Sequence, residues 1–392
     1  MTKVKNRSPL VLAIDTSCDD TSASVVRGNQ VLSNIVSSQI ALHQPYGGVF
    51  PTVAKLAHKE NIEAVVKLAL NQAKLNFNRL DALAVTVGPG LAPALEVGIN
   101  YAKDLAKAHD LPLVAVDHIE AHLLSPFLVP EDKNEIAMSQ APHNDDERDW
   151  SWLTSKELNV LAIVLSGGHS EFVWIEKVGE YEILGQTIDD AAGECLDKIG
   201  RMLGLSYPAA PIMERLAKNG DNKKYPFPLP LTMKKDFNLS FSGLKTHAKN
   251  SIRKEADNPN IVDNLTEKQL ADFCASTQTG VFNHVLYKLK KLFAQLGQKG
   301  ESSQKLPRYV LLGGGVAANL YFRQELRKLL KQMSKDFDQQ ISLLVPYNKK
   351  ICGDNAAMIG LVGALKFAHQ KYEKHPQEIQ RQPNLKTETW LD

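Results

Sequence analysis

The stretch PLVLAIDTSCDDTSASVVR, residues 9–27, decides how the chain is read. An apolar run, Leu10 to Ile14, enters a turn dense in hydroxyls and carboxylates, Asp15 to Thr21, and a second apolar run follows. Apolar runs of this length bounded by turn residues predict strand, polar turn, strand. Such a turn can present N–H groups and hydroxyls to a phosphate or a metal; taken alone, it is equally an ordinary hairpin. The pattern returns at VLAIVLSGGHSEFVWI, residues 160–175, as apolar strand, small polar turn, apolar strand. A repeated unit argues for two alike lobes.

Around these units strands alternate with helices. Residues 81–87 predict a strand, Gly88-Pro89-Gly90 a turn that uses glycine's freedom in φ, and 93–108 a helix. Another helix is expected from about Thr52, and one over 266–296. At 392 residues the chain is too long for one ordinary core. The expected fold is α/β: a two-lobed actin-like ATPase (ASKHA, ribonuclease H-like) fold with the ligand cleft between the lobes. The expected boundaries are an N-terminal tail at 1–8, a first lobe at 9–129, a polar and acidic insertion at 130–158, a second lobe at 159–373 with helix 354–368 facing the cleft, and a loose tail at 374–392.

A 43% hydrophobic and 23% charged composition is that of a globular protein. The net charge of +2 leaves any nucleic-acid binding to a local patch. The four cysteines, Cys18, Cys195, Cys274 and Cys352, have no CxxC spacing, which suits a reducing compartment. Too few apolar residues separate Arg7 from Asp15 for a signal-peptide core, and no run reaches the ~18 of a membrane span. A cytoplasmic location without membrane contact is expected.

The chemistry-bearing motif is DHIEAH, residues 117–122, directly after the apolar run Leu113 to Val116. His118 and His122 fall one helical turn apart, so both imidazoles can address one ion; alone, such a pair is also found as surface or capping groups. Asp354 reads as a plain helix N-cap, or as a third ligand if its turn faces the histidines. Asp189 or Asp190 can cap the helix that Gly204 ends, and Asp190, Glu194 and Asp197 share a face suited to ribose hydroxyls or simply to solvent. Lys234, Lys235, Lys245, Lys249, Arg253 and Lys254 form a candidate phosphate-backbone patch. Gly313-Gly314-Gly315 before Asn319 is not GxGxxG, which disfavours a dinucleotide.

Taken together and in order, these motifs resemble the TsaD family, the tRNA N6-adenosine threonylcarbamoyltransferases, formerly called O-sialoglycoprotein endopeptidases or glycoproteases. The resemblance rests on Asp15 to Thr21, Tyr46-Gly47-Gly48-Val49, Gly88 to Leu91, His118 and His122, Ser166 to His169, Asp189 to Glu194, Phe241 to Thr246, Gly314-Gly315-Val316 with Asn319, and Asp354-Asn355. It implies transfer of threonylcarbamoyl from threonylcarbamoyl-AMP to N6 of adenosine 37, just 3′ of the anticodon, in tRNAs reading ANN codons. It implies that His118, His122 and Asp354 hold one iron(II) or zinc ion. Val164, Leu165, Ser166, Gly167 and Gly168 would line the adenylate phosphate and carbamoyl group. Asp197, Ala210, Glu214 and Asn319 would bind the nucleoside side, and Asp19 and Asp20 would be catalytic. The implied partners are tRNA, a TsaB-like paralogue and a TsaE-like ATPase, or a second copy of the chain.

The chain departs from the family pattern in places. Ala209-Ala210 stands where the family has Gly-Gly, Asp20 replaces a more frequent glutamate, and the 130–158 insertion is long. Two rivals differ in class. A metallopeptidase needs its glutamate directly after the first histidine, whereas Glu120 stands two residues on. An actin-like kinase, ATPase or inert nucleotide-binding scaffold leaves the histidine pair without a purpose.

Overall fold

The computed structural model describes residues 8–131, 150–155, 157–256, 265–297 and 306–391. Most of the expected N-terminal tail and of the 130–158 insertion, including Asp145 to Glu147, lies outside the described residues.

Two compact units are present: residues 1–158 with 176–181 and 344–392, and residues 159–175 with 182–343. The first is built on β1 (Leu10–Asp15), β2 (Asp20–Arg27), β3 (Gln30–Ser38), β4 (Ala82–Gly88), β5 (Leu113–Asp117) and β6 (Val129–Pro130). Its helices are α1 (Ile40–His43), α2 (Pro51–Gln72), α3 (Ala92–His109), α4 (His118–Leu124) and α5 (Trp150–Ser155). The second is built on β7 (Val160–Leu165), β8 (Ser170–Lys177), β9 (Glu180–Gln186), β10 (Tyr309–Gly313) and β11 (Ser342–Leu344). Its helices are α6 (Ala192–Met202), α7 (Ala209–Ala217), α8 (Ser242–Ala256), α9 (Glu267–Leu296) and α10 (Leu320–Asp336). A last helix, α11 (Ala356–Ala368), returns to the first unit.

The strand orders are β5-β4-β1-β2-β3-β6 and β11-β10-β7-β8-β9. Counted from each sheet's own first strand, both contain the ribonuclease H-like order 5-4-1-2-3. In both sheets the first strand is antiparallel to the second and parallel to the fourth. This duplicated topology is the actin-like ATPase fold that residues 9–27 and 160–175 predict. The central strands β1, β4 and β7 are buried at every position, which is why they read as unbroken apolar runs. Leu12, Ile14, Val65, Val85 and Leu95 fill the core between the first sheet and α2 and α3.

The expected second lobe at 159–373 is corrected by α11, which lies on the first sheet. Every residue from Ala356 to Leu365 is buried. A Cβ on Gly363 would fall 2.4 Å from the Ala84 Cβ, and one on Gly360 would fall 2.7 Å from Val26 Cγ2. The two glycines let the helix approach β1, β2 and β4 without a gap, and no sequence periodicity reports that.

The tail at 374–392 is not loose. Ile379 is buried, Gln382 N–H donates to the Val87 carbonyl at 2.6 Å, and Trp390 N–H donates to the Gly179 carbonyl at 2.9 Å. This strap also explains the turn at Gly88-Pro89-Gly90. A Cβ on Gly88 would fall 1.8 Å from the Gln382 carbonyl oxygen, and one on Gly90 would fall 2.5 Å from that of Ser17. Neither glycine has a positive φ. Close approach, not backbone freedom, requires them. Among the described residues no helix is long and apolar enough to cross a membrane.

A Gly363→Val substitution should lower stability by about 1–3 kcal/mol through overpacking against Ala84. Gly243→Ala on α8, where an added Cβ meets nothing within 4 Å, should raise it by at most about 1 kcal/mol. Urea midpoints of the two variants should therefore move in opposite directions.

Candidate metal centre and phosphate turn

In the first unit β1, β4 and β5 run parallel, so their carboxyl ends, Asp15, Gly88 and Asp117, lie along one edge. Open α/β sheets bind ligands at that edge. Asp117 starts α4 by capping it: its Oδ1 accepts from the N–H groups of Ile119 at 2.6 Å and Glu120 at 3.1 Å. His118 and His122 follow on one face, 7% and 0% exposed, with ring centres 4.7 Å apart.

Both Nε2 atoms converge on Asp354 Oδ1, His118 at 3.4 Å and His122 at 3.1 Å. The expected capping role of Asp354 falls instead to Asn355, whose Oδ1 accepts from Ala357 N–H at 3.1 Å and Met358 N–H at 3.4 Å. Because Asn355 caps α11, the Asp354 carboxylate is left to the histidines. The ligand atoms of this group all lie within 4.8 Å of one another. Donors bound about 2.1 Å from one ion sit roughly 3.0–3.4 Å apart, a spacing that the two Nε2–Oδ1 distances meet, so the set is a candidate divalent-metal site.

The three groups are electrostatically coupled. Burial works against the charge on His118, and Asp354, Asp15 and Asp117 outweigh it, lifting the imidazole to about 9. Burial holds His122 below its ordinary value. Burial also opposes the charge on Asp354, yet the two histidines hold its carboxyl well below the usual range.

Asp19 and Asp20 are half-buried in the β1–β2 turn of the same unit. Burial, with help from the Asp354 charge, raises Asp19. Burial raises Asp20 to about 7, and its Oδ1 has no hydrogen-bond partner among the described residues. A buried network that the sequence reading missed supports this turn. Phe50 N–H donates to His43 Nδ1 (3.3 Å), His43 Nε2 to Gln39 Oε1 (3.1 Å), and Gln39 Nε2 to His58 Nδ1 (3.2 Å). His58 Nε2 then donates to the Cys18 carbonyl at 3.1 Å. The available signal was that His58 sits on the apolar face of α2 with Ala54, Ala57 and Ile62.

The second unit assembles the nucleotide-type residues. Val164 and Leu165 have fully buried side chains, whereas Gly167 and Gly168 are exposed, with nothing within 4 Å of an added Cβ. Ser166 Oγ accepts from Gly168 N–H (3.3 Å) and His169 N–H (3.0 Å), holding the turn open. Gly314, at φ 91°, crosses so close to Leu165 that a Cβ would meet its carbonyl oxygen at 2.3 Å. Asp197 Oδ1 accepts from Ala209 N–H (2.8 Å) and Ala210 N–H (2.9 Å), so it caps α7. Glu214 Oε1 accepts from Leu320 N–H at 2.7 Å, beside Asn319, which caps α10 through Phe322 N–H at 2.9 Å. Asp197, Ala210, Glu214 and Asn319 thus form one connected group. The methyl of Ala209 has room because Gly200 has none: a Cβ there would fall 2.3 Å from it.

Other expectations change. Asp189 caps α8, not α6: its carboxylate accepts from Phe241 N–H (2.7 Å) and from the hydroxyls of Ser240 (2.6 Å) and Ser242 (2.7 Å). Asp190 pairs with Lys198 and Lys245, and Glu194 with Lys198. Two members of the acidic stripe, Asp190 and Glu194, are therefore paired with lysines within the unit, and Lys245 leaves the basic patch, whereas Lys249, Arg253 and Lys254 stay exposed.

The profile of the TsaD family, tRNA N6-adenosine threonylcarbamoyltransferase, matches residues 30–140 and 152–361. A tRNA N6-adenosine threonylcarbamoyltransferase of Halalkalibacterium halodurans is 38% identical over 386 residues, covering 98% of each chain. One of Geobacter sulfurreducens is 42% identical over 356 residues, covering 90% of this chain and 91% of its own. One of Pelagibacter ubique is 36% identical over 376 residues, covering 94% and 93%. With the histidine pair, the two strand–turn–strand units and this span of similarity in agreement, the chain belongs to the TsaD family of tRNA N6-adenosine threonylcarbamoyltransferases.

Proposed function

We propose that the chain moves the threonylcarbamoyl group of threonylcarbamoyl-AMP onto N6 of adenosine 37 in tRNAs reading ANN codons. The single observation that carries this is the convergence of two buried imidazoles on Asp354 in the same unit as two carboxyls held above their ordinary range. His118, His122 and Asp354 would hold iron(II) or zinc, supplying Lewis-acid polarisation of the carbamoyl carbonyl. In the reaction the amine nitrogen forms a bond to the carbamoyl carbon, and the bond from that carbon to the phosphate oxygen breaks. AMP leaves with the electron pair. An adenine amine is a weak nucleophile, so the proton it sheds needs an acceptor. Asp20, half-ionised near neutrality, takes that proton, and Asp19 shares the acidic turn. Ser166, Gly167 and Gly168 offer main-chain and hydroxyl groups to the adenylate phosphate, with Val164 and Leu165 as their rigid strand. Asp197, Ala210, Glu214 and Asn319 serve the nucleoside. A TsaB-like paralogue and a TsaE-like ATPase are the proposed protein partners, with a homodimer as the alternative.

The peptidase reading loses its base, because the Glu120 carboxylate is taken up by Tyr181, Trp390 and Lys366. The deciding assay is transfer of labelled threonylcarbamoyl from its adenylate to an ANN-decoding tRNA, with candidate partners added. No transfer by metal-loaded protein with any partner set would sink the proposal.

In that assay kcat/KM should climb with pH, about tenfold per unit, and level off above pH 7, because only ionised Asp20 accepts a proton. Asp20→Asn should abolish that limb and slow transfer by about 10²–10⁴-fold. His122→Ala should remove bound metal, measured by elemental analysis, and transfer together. Loss of transfer with full metal content would assign His122 a different role.

A further inference from the structure

Glu120 lies between the two histidines in sequence but cannot share their face. Two residues from each, it is turned about 200° around the helix. Its carboxylate is buried, 1% exposed. Oε1 accepts from the Tyr181 hydroxyl at 2.7 Å and from the Trp390 indole N–H at 2.6 Å. Oε2 lies 3.2 Å from Lys366 Nζ. Lys366 also donates to the Ala115 carbonyl at 3.4 Å and stands 5.6 Å from the centre of the Trp390 ring. A buried carboxylate is tolerated only when its charge is paired and its lone pairs are filled, and here both conditions are met.

The partners come from separate places: the hairpin turn at 176–181, the far end of α11, and the C-terminal strap. Lys366 matters most for the geometry, because α11 begins directly after Asp354. Helices α4 and α11 therefore meet twice, through Asp354 on the imidazoles and through Lys366 on Glu120. A seven-residue helix has little stability of its own, so its orientation must come from anchors of this kind.

We infer that Glu120 is a positioning residue of the metal centre, and that Tyr181, Lys366 and Trp390, acting through it, set the rotation of α4 and hence the aim of both imidazoles. The inference rests on the reading of His118, His122 and Asp354 as metal ligands. The C-terminal strap thereby becomes a strut of that centre although it supplies no ligand.

The test uses the full chain and cobalt(II) as the probe, with affinity measured by chelator competition and ligand geometry by the visible absorption of the bound ion. Trp390→Phe and Tyr181→Phe each delete one donor to Oε1 and keep an aromatic ring in place. Each should weaken cobalt binding by about ten- to a hundredfold and shift the absorption bands. Glu120→Gln, which keeps an acceptor for both donors, should retain tighter binding than Glu120→Ala. If Glu120→Ala does not fold, the two phenylalanine variants decide. Wild-type affinity and spectrum in both would overturn the inference. So would weaker binding that only tracks lost thermal stability under an unchanged spectrum. Failure of the wild-type chain itself to bind cobalt would instead remove the metal reading on which the inference stands.

Discussion

The first unit is arranged around one half-buried carboxylate whose oxygen faces two buried imidazoles. Asp354 Oδ1 sits within 3.4 Å of both Nε2 atoms, and none of the three groups is comfortable alone. Each would lose hydration on burial without the others or an ion to replace it. Satisfying that constraint requires α11 to start where α4 ends a strand-edge turn. The rest follows from it: glycines at 360 and 363 to seat α11, Asn355 to cap it, and Asp117 to start α4 at His118. The paired buried groups hold their protons in a pattern that isolated residues would not, with His118 lifted and His122 and Asp354 lowered.

The second unit solves a different problem with the same strand order. Its candidate binding residues are set in place largely by main-chain geometry. Gly167 and Gly168 keep the β7 turn clear of side chains, Gly314 lets the β10 turn cross it closely, and Asp197 and Asn319 fix the helix starts beside them. The alanines at 209 and 210 fit this scheme, since α7 needs their N–H groups and Gly200 vacates the space that the Ala209 methyl takes.

What could be read in the sequence was what repeats or what is periodic. The unbroken apolar runs of β1 and β7 named the sheet centres, and the i, i+4 spacing of His118 and His122 marked the helix face whose two imidazoles meet Asp354. Choices between chemically equivalent neighbours could not be read. Asp354 and Asn355 are both good caps, as are Asp189 and Asp190 for α6, and only packing decides which carboxylate is spent on a helix and which is left for another partner. The strap at 379–391 was equally hidden. It is polar and aperiodic, and its order comes from main-chain bonds to Val87 and Gly179 and from one indole N–H.

The network beneath the Asp19–Asp20 turn has a direction. A carbonyl can only accept, so His58 carries its proton on Nε2; the Phe50 amide can only donate, so His43 does the same. Gln39 between them has its amide orientation dictated from both ends. Neither imidazole can change tautomer alone without setting two donors or two acceptors against each other. The loop from Gln39 to Phe50 and the turn after β1 are thus joined by one proton order, which the amide at one end and the carbonyl at the other fix in a single direction.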